Sequence, residues 1–176
     1  AVYDMISEGE TDGVFQLESG GMRAFLTSMK PENFEDIIAA ISLYRPGPMD
    51  SIPRYIQGKH RPDTIVYHTP KLAPILDVTY GCMVYQEQVM QIVRDLAGYS
   101  YARSDLVRRA MSKKKHDVME KERQVFIWGS QQEGVPGAVK NGVDPDAASR
   151  IFDEMASFAS YAFNKSHAAA YAVNAV

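Results

Sequence analysis

Phe34-Glu35-Asp36-Ile37-Ile38-Ala39-Ala40-Ile41, closed by Arg45-Pro46-Gly47-Pro48, is the stretch that decides the fold. Phe34, Ile37, Ile38 and Ile41 stand at i, i+3, i+4 and i+7, one apolar stripe on a helix of 3.6 residues per turn. Proline cannot donate a backbone hydrogen bond and its ring collides with the preceding turn, so the Pro-Gly-Pro run ends that helix. The same period recurs along the chain. Val89, Ile92, Val93 and Leu96 repeat it before Gly98. Asp144-Pro145-Asp146 supplies an N-cap, a proline at the first helical position and an early acid, and opens a helix whose Ala147, Ile151, Met155 and Phe158 share a face. Thr69-Pro70 opens a shorter helix in the same way. The mixed-charge stretch His116 to Gln132 reads as an exposed helix ending near Gly134.

Strand signals are sparse. Gly13-Val14-Phe15-Gln16-Leu17 and Gly81-Cys82-Met83-Val84-Tyr85 are short runs bounded by glycine, each equally an extended lead into a helix, and Ile65-Val66-Tyr67 is a weaker third. Residues 57–69 and 134–142 are rich in Pro, Gly and polar residues and read as loops rather than linkers. The expectation is a mainly α chain, one multi-helical lobe with at most a few short strands.

Composition bounds the rest. At 176 residues and 45% hydrophobic, the chain can bury one sizeable core. It has no run of 18 apolar residues and no charged start followed by an apolar stretch, so neither a membrane span nor a secretory signal is expected. The one cysteine, Cys82, excludes an intrachain disulfide and a thiolate zinc cluster, and fits a reducing, cytoplasmic setting. The net charge of −3 argues against a general nucleic-acid coat and for a local patch. The chain starts at Ala1 without Met and ends in an uncapped Ala-rich run, and so reads as a piece of something longer.

A local patch exists. From Arg103 to Lys115 there are six Lys or Arg and one Asp, a local charge near +5. As a helix, with 100° per residue, Asp105, Arg108, Arg109 and Ser112 make one polar face, and Leu106, Val107, Ala110 and Met111 the buried side. Asp105 stands three and four residues before the arginines and can hold both. Two readings remain open. One is a solvated charged face with ion pairs of about 0.3 to 0.5 kcal/mol each. The other is a phosphate-bearing ligand, favoured by the segregation of charge and by the bidentate geometry of adjacent guanidiniums.

A second constellation is Phe163-Asn164-Lys165-Ser166-His167-Ala168-Ala169-Ala170-Tyr171. Asn164 or Ser166 is a good N-cap, which puts Lys165 at a helix N-terminus, where a cation is unfavourable unless an anion comes to it. His167 and Tyr171, four apart, face one way with small alanines between. The alternative is an Ala-rich helix packed on a neighbour. Asp144-x-Asp146 already has a capping role and makes a poor metal site, and the four scattered histidines supply neither a zinc site nor a triad. Ser19-Gly20-Gly21 is a flexible helix start open to close approach by a phosphate or by a neighbouring backbone.

Five blocks then stand in order: Gly13-Val14-Phe15-Gln16-Leu17-Glu18-Ser19, Leu43-Tyr44-Arg45-Pro46-Gly47-Pro48, Tyr80-Gly81 with Tyr85-Gln86-Glu87-Gln88-Val89-Met90, Arg108-Arg109-Ala110-Met111, and Phe163 to Tyr171. Together they resemble the fingers region of the C-family bacterial replicative DNA polymerases. The resemblance implies a palm-to-fingers junction over residues 1–18 and a fingers domain over 19–176, cut within a helix. It implies that Arg108, Arg109 and Lys113 hold the phosphates of an incoming deoxynucleoside triphosphate (dNTP). It further implies that Phe163, Asn164, Lys165, His167 and Tyr171 line the nascent base-pair pocket, with Phe163 and Tyr171 against base or sugar. Catalytic aspartates and their Mg2+ would belong to a palm outside these residues, so no catalytic or metal-binding residue is expected here. The implied partners are primer-template DNA, dNTP, the remaining polymerase domains, a sliding clamp and other replicase subunits, and no membrane. The chain departs from the family pattern at Tyr101-Ala102-Arg103-Ser104, in place of a Leu-Gly start, and at Ser112, in place of glycine. A stand-alone helical nucleic-acid-binding module and a protein-interaction module are the rival readings.

Overall fold

The computed structural model describes residues 1–45, 48–113, 116–159 and 165–175, with only the backbone described for 165–168. Ten α-helices are present among them: α1 (Val2–Ser7), α2 (Gly20–Met29), α3 (Phe34–Leu43), α4 (Ile52–His60), α5 (Ala73–Leu76), α6 (Gln86–Ala97), α7 (Tyr101–Lys113), α8 (His116–Trp128), α9 (Pro145–Ala159) and α10 (Lys165–Ala175). None is long and apolar enough to cross a membrane. No sheet forms among the described residues, where β pairing is limited to isolated bridges such as Ser130–Val135. The chain is therefore mainly α, as its periodicity predicts. It divides into two compact units, residues Ala1–Ile65 with Phe163–Val176, and residues Val66–Ala162.

In the first unit α3 forms where its apolar stripe requires. Asn33 caps it, its side-chain oxygen accepting from the Asp36 amide at 2.9 Å. Ile37, Ile38 and Ile41 are buried, but so are Ala39, Ala40 and Leu43, because α10 packs on this helix as well. The small residues of α10 allow that approach, and its Ala172 is fully buried. Helix α4 lies partly where a loop is expected from residue 57 onward. Its Pro53 falls in the first turn, where no amide partner is lost, and only Tyr55 and Gly58 are fully buried, too few positions to show a period. Lys59, 5% exposed, instead reaches Asp36 at 3.4 Å and Glu32 at 3.5 Å, tying α4 to the start of α3.

The second unit packs α6, α7, α8 and α9 around one core that includes Ile92, Val93, Leu96, Phe126, Ile151 and Phe152. Asp144 caps α9, its Oδ2 accepting from the Asp146 amide at 3.1 Å and the Ala147 amide at 3.2 Å. The most buried stripe of α9 is Ala148, Ile151, Phe152, Met155 and Ala159, with Ala147 and Phe158 at its flanks rather than its centre. Helix α8 ends at Trp128, earlier than expected, and it is not an exposed helix throughout, since Glu122, Val125, Phe126 and Ile127 are buried.

The segment after α8 explains the early stop. Gly129 takes a φ of +86°, and the chain then returns so that the Ala138 and Val139 amides donate to the Phe126 and Ile127 carbonyls at 2.8 and 3.0 Å. The Gly137 amide donates to the Ala97 carbonyl at 2.9 Å, and Asn141 Nδ2 to the Leu96 carbonyl at 3.0 Å. Residues 137–141 thus satisfy the terminal carbonyls of both α6 and α8, groups that no helix can satisfy internally. This stretch is a loop by composition and a double helix cap by function.

Candidate functional site

The five ordered blocks sort into two groups. In the second unit, Tyr80-Gly81 and Tyr85 to Met90 prepare the surroundings of Arg108. Segment Gly81–Tyr85 is an extended lead into α6, held by one buried side chain. Gln88 Oε1 accepts from the Val84 and Tyr85 amides at 2.8 and 3.0 Å, and its Nε2 donates to Thr79 Oγ1 at 2.8 Å. Thr79 Oγ1 in turn donates to the Cys82 carbonyl at 2.6 Å. Each polar atom of this buried network has a partner, which is the condition under which such a network fixes one geometry. It sets the start of α6, where Gln86 Oε1 lies 3.5 Å from Arg108 Nη1, the outer limit of a hydrogen bond.

The arginine pair itself shares one carboxylate. Arg108 donates to Asp105 Oδ1 from Nη2 at 2.7 Å and from Nε at 3.2 Å, while Arg109 Nη2 stands 2.7 Å from Asp105 Oδ2. The hydrogen bond from Arg108 holds the Asp105 carboxyl below the ordinary carboxylate range, against the upward push of desolvation and with help from both guanidinium charges. It therefore stays ionised at any working pH, and two cations face one anion. Their exposures differ: the Arg108 side chain is 19% exposed and the Arg109 side chain 63%. Lys113 is exposed at the last position of α7. Lys114 and Lys115 lie outside the described residues.

Helix α7 is rotated from the expected orientation. Its buried residues are Ser104, Val107 and Met111, whereas Leu106 is 59% exposed and Ala110 only partly covered. The turn toward Ser104 carries Arg108 toward the core and leaves Arg109 outermost. Sequence periodicity gave Leu106 to the core on hydrophobicity alone, and the small Ser104 claimed the place because its hydroxyl donates to the Tyr101 carbonyl at 2.6 Å and needs nothing from solvent. Ser112 continues the helix at the position where the resemblance implies glycine. Its Oγ donates to the Arg108 carbonyl at 3.0 Å and lies 3.2 Å from the Ala159 carbonyl at the end of α9.

In the first unit the remaining blocks converge. Phe15, Tyr44 and Tyr171 belong to three different blocks. The Phe15 and Tyr171 rings meet edge to face, with centroids 5.6 Å apart and planes at 63°, and Phe15 remains 48% exposed. Phe15, Gln16, Ser19, Met22 and Tyr44 line one groove beside the start of α2. The close approach at Ser19-Gly20-Gly21 is made by a side chain: the Tyr44 hydroxyl occupies the space that a Cβ on Gly21 would need. Helix α10 begins at Lys165, as expected. Phe163 and Asn164 lie outside the described residues, and of Lys165 and His167 only the backbone is described.

Asp144 Oδ2 is occupied by its cap, and among the described residues no group of three or more His, Cys, Asp or Glu forms a possible metal site.

Comparison with known proteins places this helical chain among polymerase finger domains. The model of the bacterial DNA polymerase III alpha subunit finger domain matches residues 1–134, and the chain belongs to that family. The DNA polymerase III subunit alpha of Thermus aquaticus is 51% identical over 176 residues, covering 97% of this chain and 14% of that protein. Its counterpart in Staphylococcus aureus strain Mu50 is 49% identical over 170 residues, covering 97% of this chain and 15% of that protein. The chain therefore spans about one-seventh of the length of these relatives.

Proposed function

We propose that this chain is the part of a bacterial replicative DNA polymerase that binds the incoming dNTP through its phosphates and closes on primer-template DNA. The observation that carries the reading is the shared carboxylate. Asp105 pins Arg108 and Arg109 from behind and neutralises only half of their charge, so a net cation with unspent donors faces outward at Arg109. A phosphate chain is the ligand that planar, adjacent guanidiniums match best, and Lys113 adds positive field at the same end of α7. Polymerisation itself requires carboxylates and Mg2+ held elsewhere in the parent protein. Cytoplasmic location, the other polymerase domains, a sliding clamp and further replicase subunits follow from the same reading.

The direct test is a binding series on the intact polymerase with primer-template. Affinity should fall stepwise from the triphosphate to the diphosphate to the monophosphate of one deoxynucleoside. Equal affinity for all three would remove the phosphate contact from the reading.

In this proposal the Phe163 to Tyr171 block lines the nascent base-pair pocket, with Tyr171 and Phe163 against base or sugar and Asn164, Lys165 and His167 on polar groups. Stacking surfaces check shape without reading sequence, which suits a pocket that must accept four correct pairs. Tyr171→Ala should reduce discrimination against mispaired nucleotides in a single-turnover misincorporation assay. Unchanged discrimination would return Tyr171 to a packing role on Phe15.

A further inference from the structure

Helix α7 has a thin anchor. Only Ser104, Val107 and Met111 of its thirteen residues are buried, and one of these is polar. Two apolar side chains do little to resist rolling of a helix about its axis, and a roll of one residue would swing the Arg109 direction by about 100°. Something else must fix the rotation.

The structure places a polar cluster at the first turn of α7. Arg103 Nη2 donates to both oxygens of Glu122 on α8, at 2.9 and 3.0 Å, and also pairs with Glu133 in the turn that follows α8. Its guanidinium lies over the Tyr99 ring, 5.1 Å from the centroid, and the Tyr99 hydroxyl donates to Glu122 Oε2 at 3.2 Å. The Arg103 and Glu122 side chains are 16% and 12% exposed, and Glu133 30%. A cation in the first turn opposes the helix dipole, so this one does not serve the helix by itself. Three groups from outside the helix hold it, and burial keeps the Tyr99 hydroxyl protonated beside Glu122. At the opposite end of α7, Ser112 reaches the last carbonyl of α9. The arginine pair lies between the two ties.

We infer that Arg103, clamped by Glu122 and Glu133, is a positioning residue that sets the rotation of α7 and hence the direction in which Arg108 and Arg109 present their donors. The inference rests on the phosphate-binding reading above. It also removes Arg103 from the set of cations available to a ligand, since two carboxylates already hold it.

The test uses steady-state kinetics of the intact polymerase carrying Glu122→Ala, Glu122→Gln, Glu133→Gln or Arg109→Ala. Glu122→Ala is expected to raise the KM for dNTP about 10-fold, within the range by which residues remote from a ligand modulate its binding, with kcat and primer-template affinity changed less than about 2-fold. Glu122→Gln keeps an oxygen for Arg103 and Tyr99 and should recover most of that loss, a rescue that a general loss of fold would not show. Glu133→Gln, at the more exposed position, should raise KM about 3-fold with an unchanged Tm, and it decides the matter if Glu122→Ala does not fold. An unaltered KM in the Glu122 and Glu133 variants, beside a raised KM in Arg109→Ala, overturns the positioning role and leaves the phosphate site standing. An Arg109→Ala enzyme with both KM and turnover unaltered overturns the phosphate site and the positioning role with it.

Discussion

Arg109→Ala in the intact polymerase is expected to raise the KM for dNTP, or lower turnover, by about 10- to 100-fold, while primer-template affinity falls by no more than about 3-fold. The size follows from a charge-assisted hydrogen bond, about 1.5 to 3 kcal/mol, with tenfold in affinity for each 1.4 kcal/mol. Arg109 is the more exposed of the pair and, among the described residues, pairs with Asp105 alone, so its removal leaves the packing of α7 intact. Arg108→Ala should be at least as damaging for a different reason. Arg108 also binds Asp105 through two nitrogens and lies beside Gln86, and its loss frees the carboxylate to take Arg109 more fully away from a ligand. Equal loss of DNA affinity and nucleotide use in both variants would turn the patch into a DNA-backbone contact.

The second large effect is structural. Gly137→Ala should destabilise the unit that contains it by about 3 to 5 kcal/mol, the sum of a strained backbone and an overpacked contact. Gly137 has a φ of +92°, and an added Cβ would stand 2.6 Å from the Trp128 carbonyl carbon. That carbon is backbone and cannot turn aside. Gly142→Ala is the control: its φ is +93°, yet nothing lies within 4 Å, so only the strain of about 1 kcal/mol should appear. Denaturant midpoints of the two variants measure the difference, and equal shifts would show that the crossing of residues 129 and 137 is not tight in solution.

These two cases mark what sequence can and cannot reveal here. The helix of Ile37, Ile38 and Ile41, the cap at Asp144 and the stop at Gly98 follow from local rules, and the structure has all three. Helix α4 was hidden because its hold on the fold is Lys59 reaching a buried Asp36, a pairing between distant residues that leaves no period. The face of α7 is not legible from Leu106, since hydrophobicity cannot anticipate that a serine closed on its own backbone takes the buried place. For the candidate site, Arg108, Arg109 and Asp105 stood out by charge and spacing. Gln88, Thr79, Glu122 and Glu133 did not, because polar residues that support a site from behind resemble surface residues until their partners are known. Gln88 had one available signal, its place three residues after Tyr85 at a helix start, which is capping-box spacing.

The division of the chain into units has a consequence for its synthesis. The second unit is one continuous run, residues Val66–Ala162, whereas the first takes residues from both sides of it and includes α10, which packs on α3. On a ribosome residues 1–65 emerge without the helix that covers α3 until almost a hundred more have followed. The apolar flank of α3 must wait, while the continuous unit already has all of its own residues. Vectorial folding would thus finish the arginine-bearing unit before the split one, and the aromatic pair of Phe15 and Tyr171 would close after it.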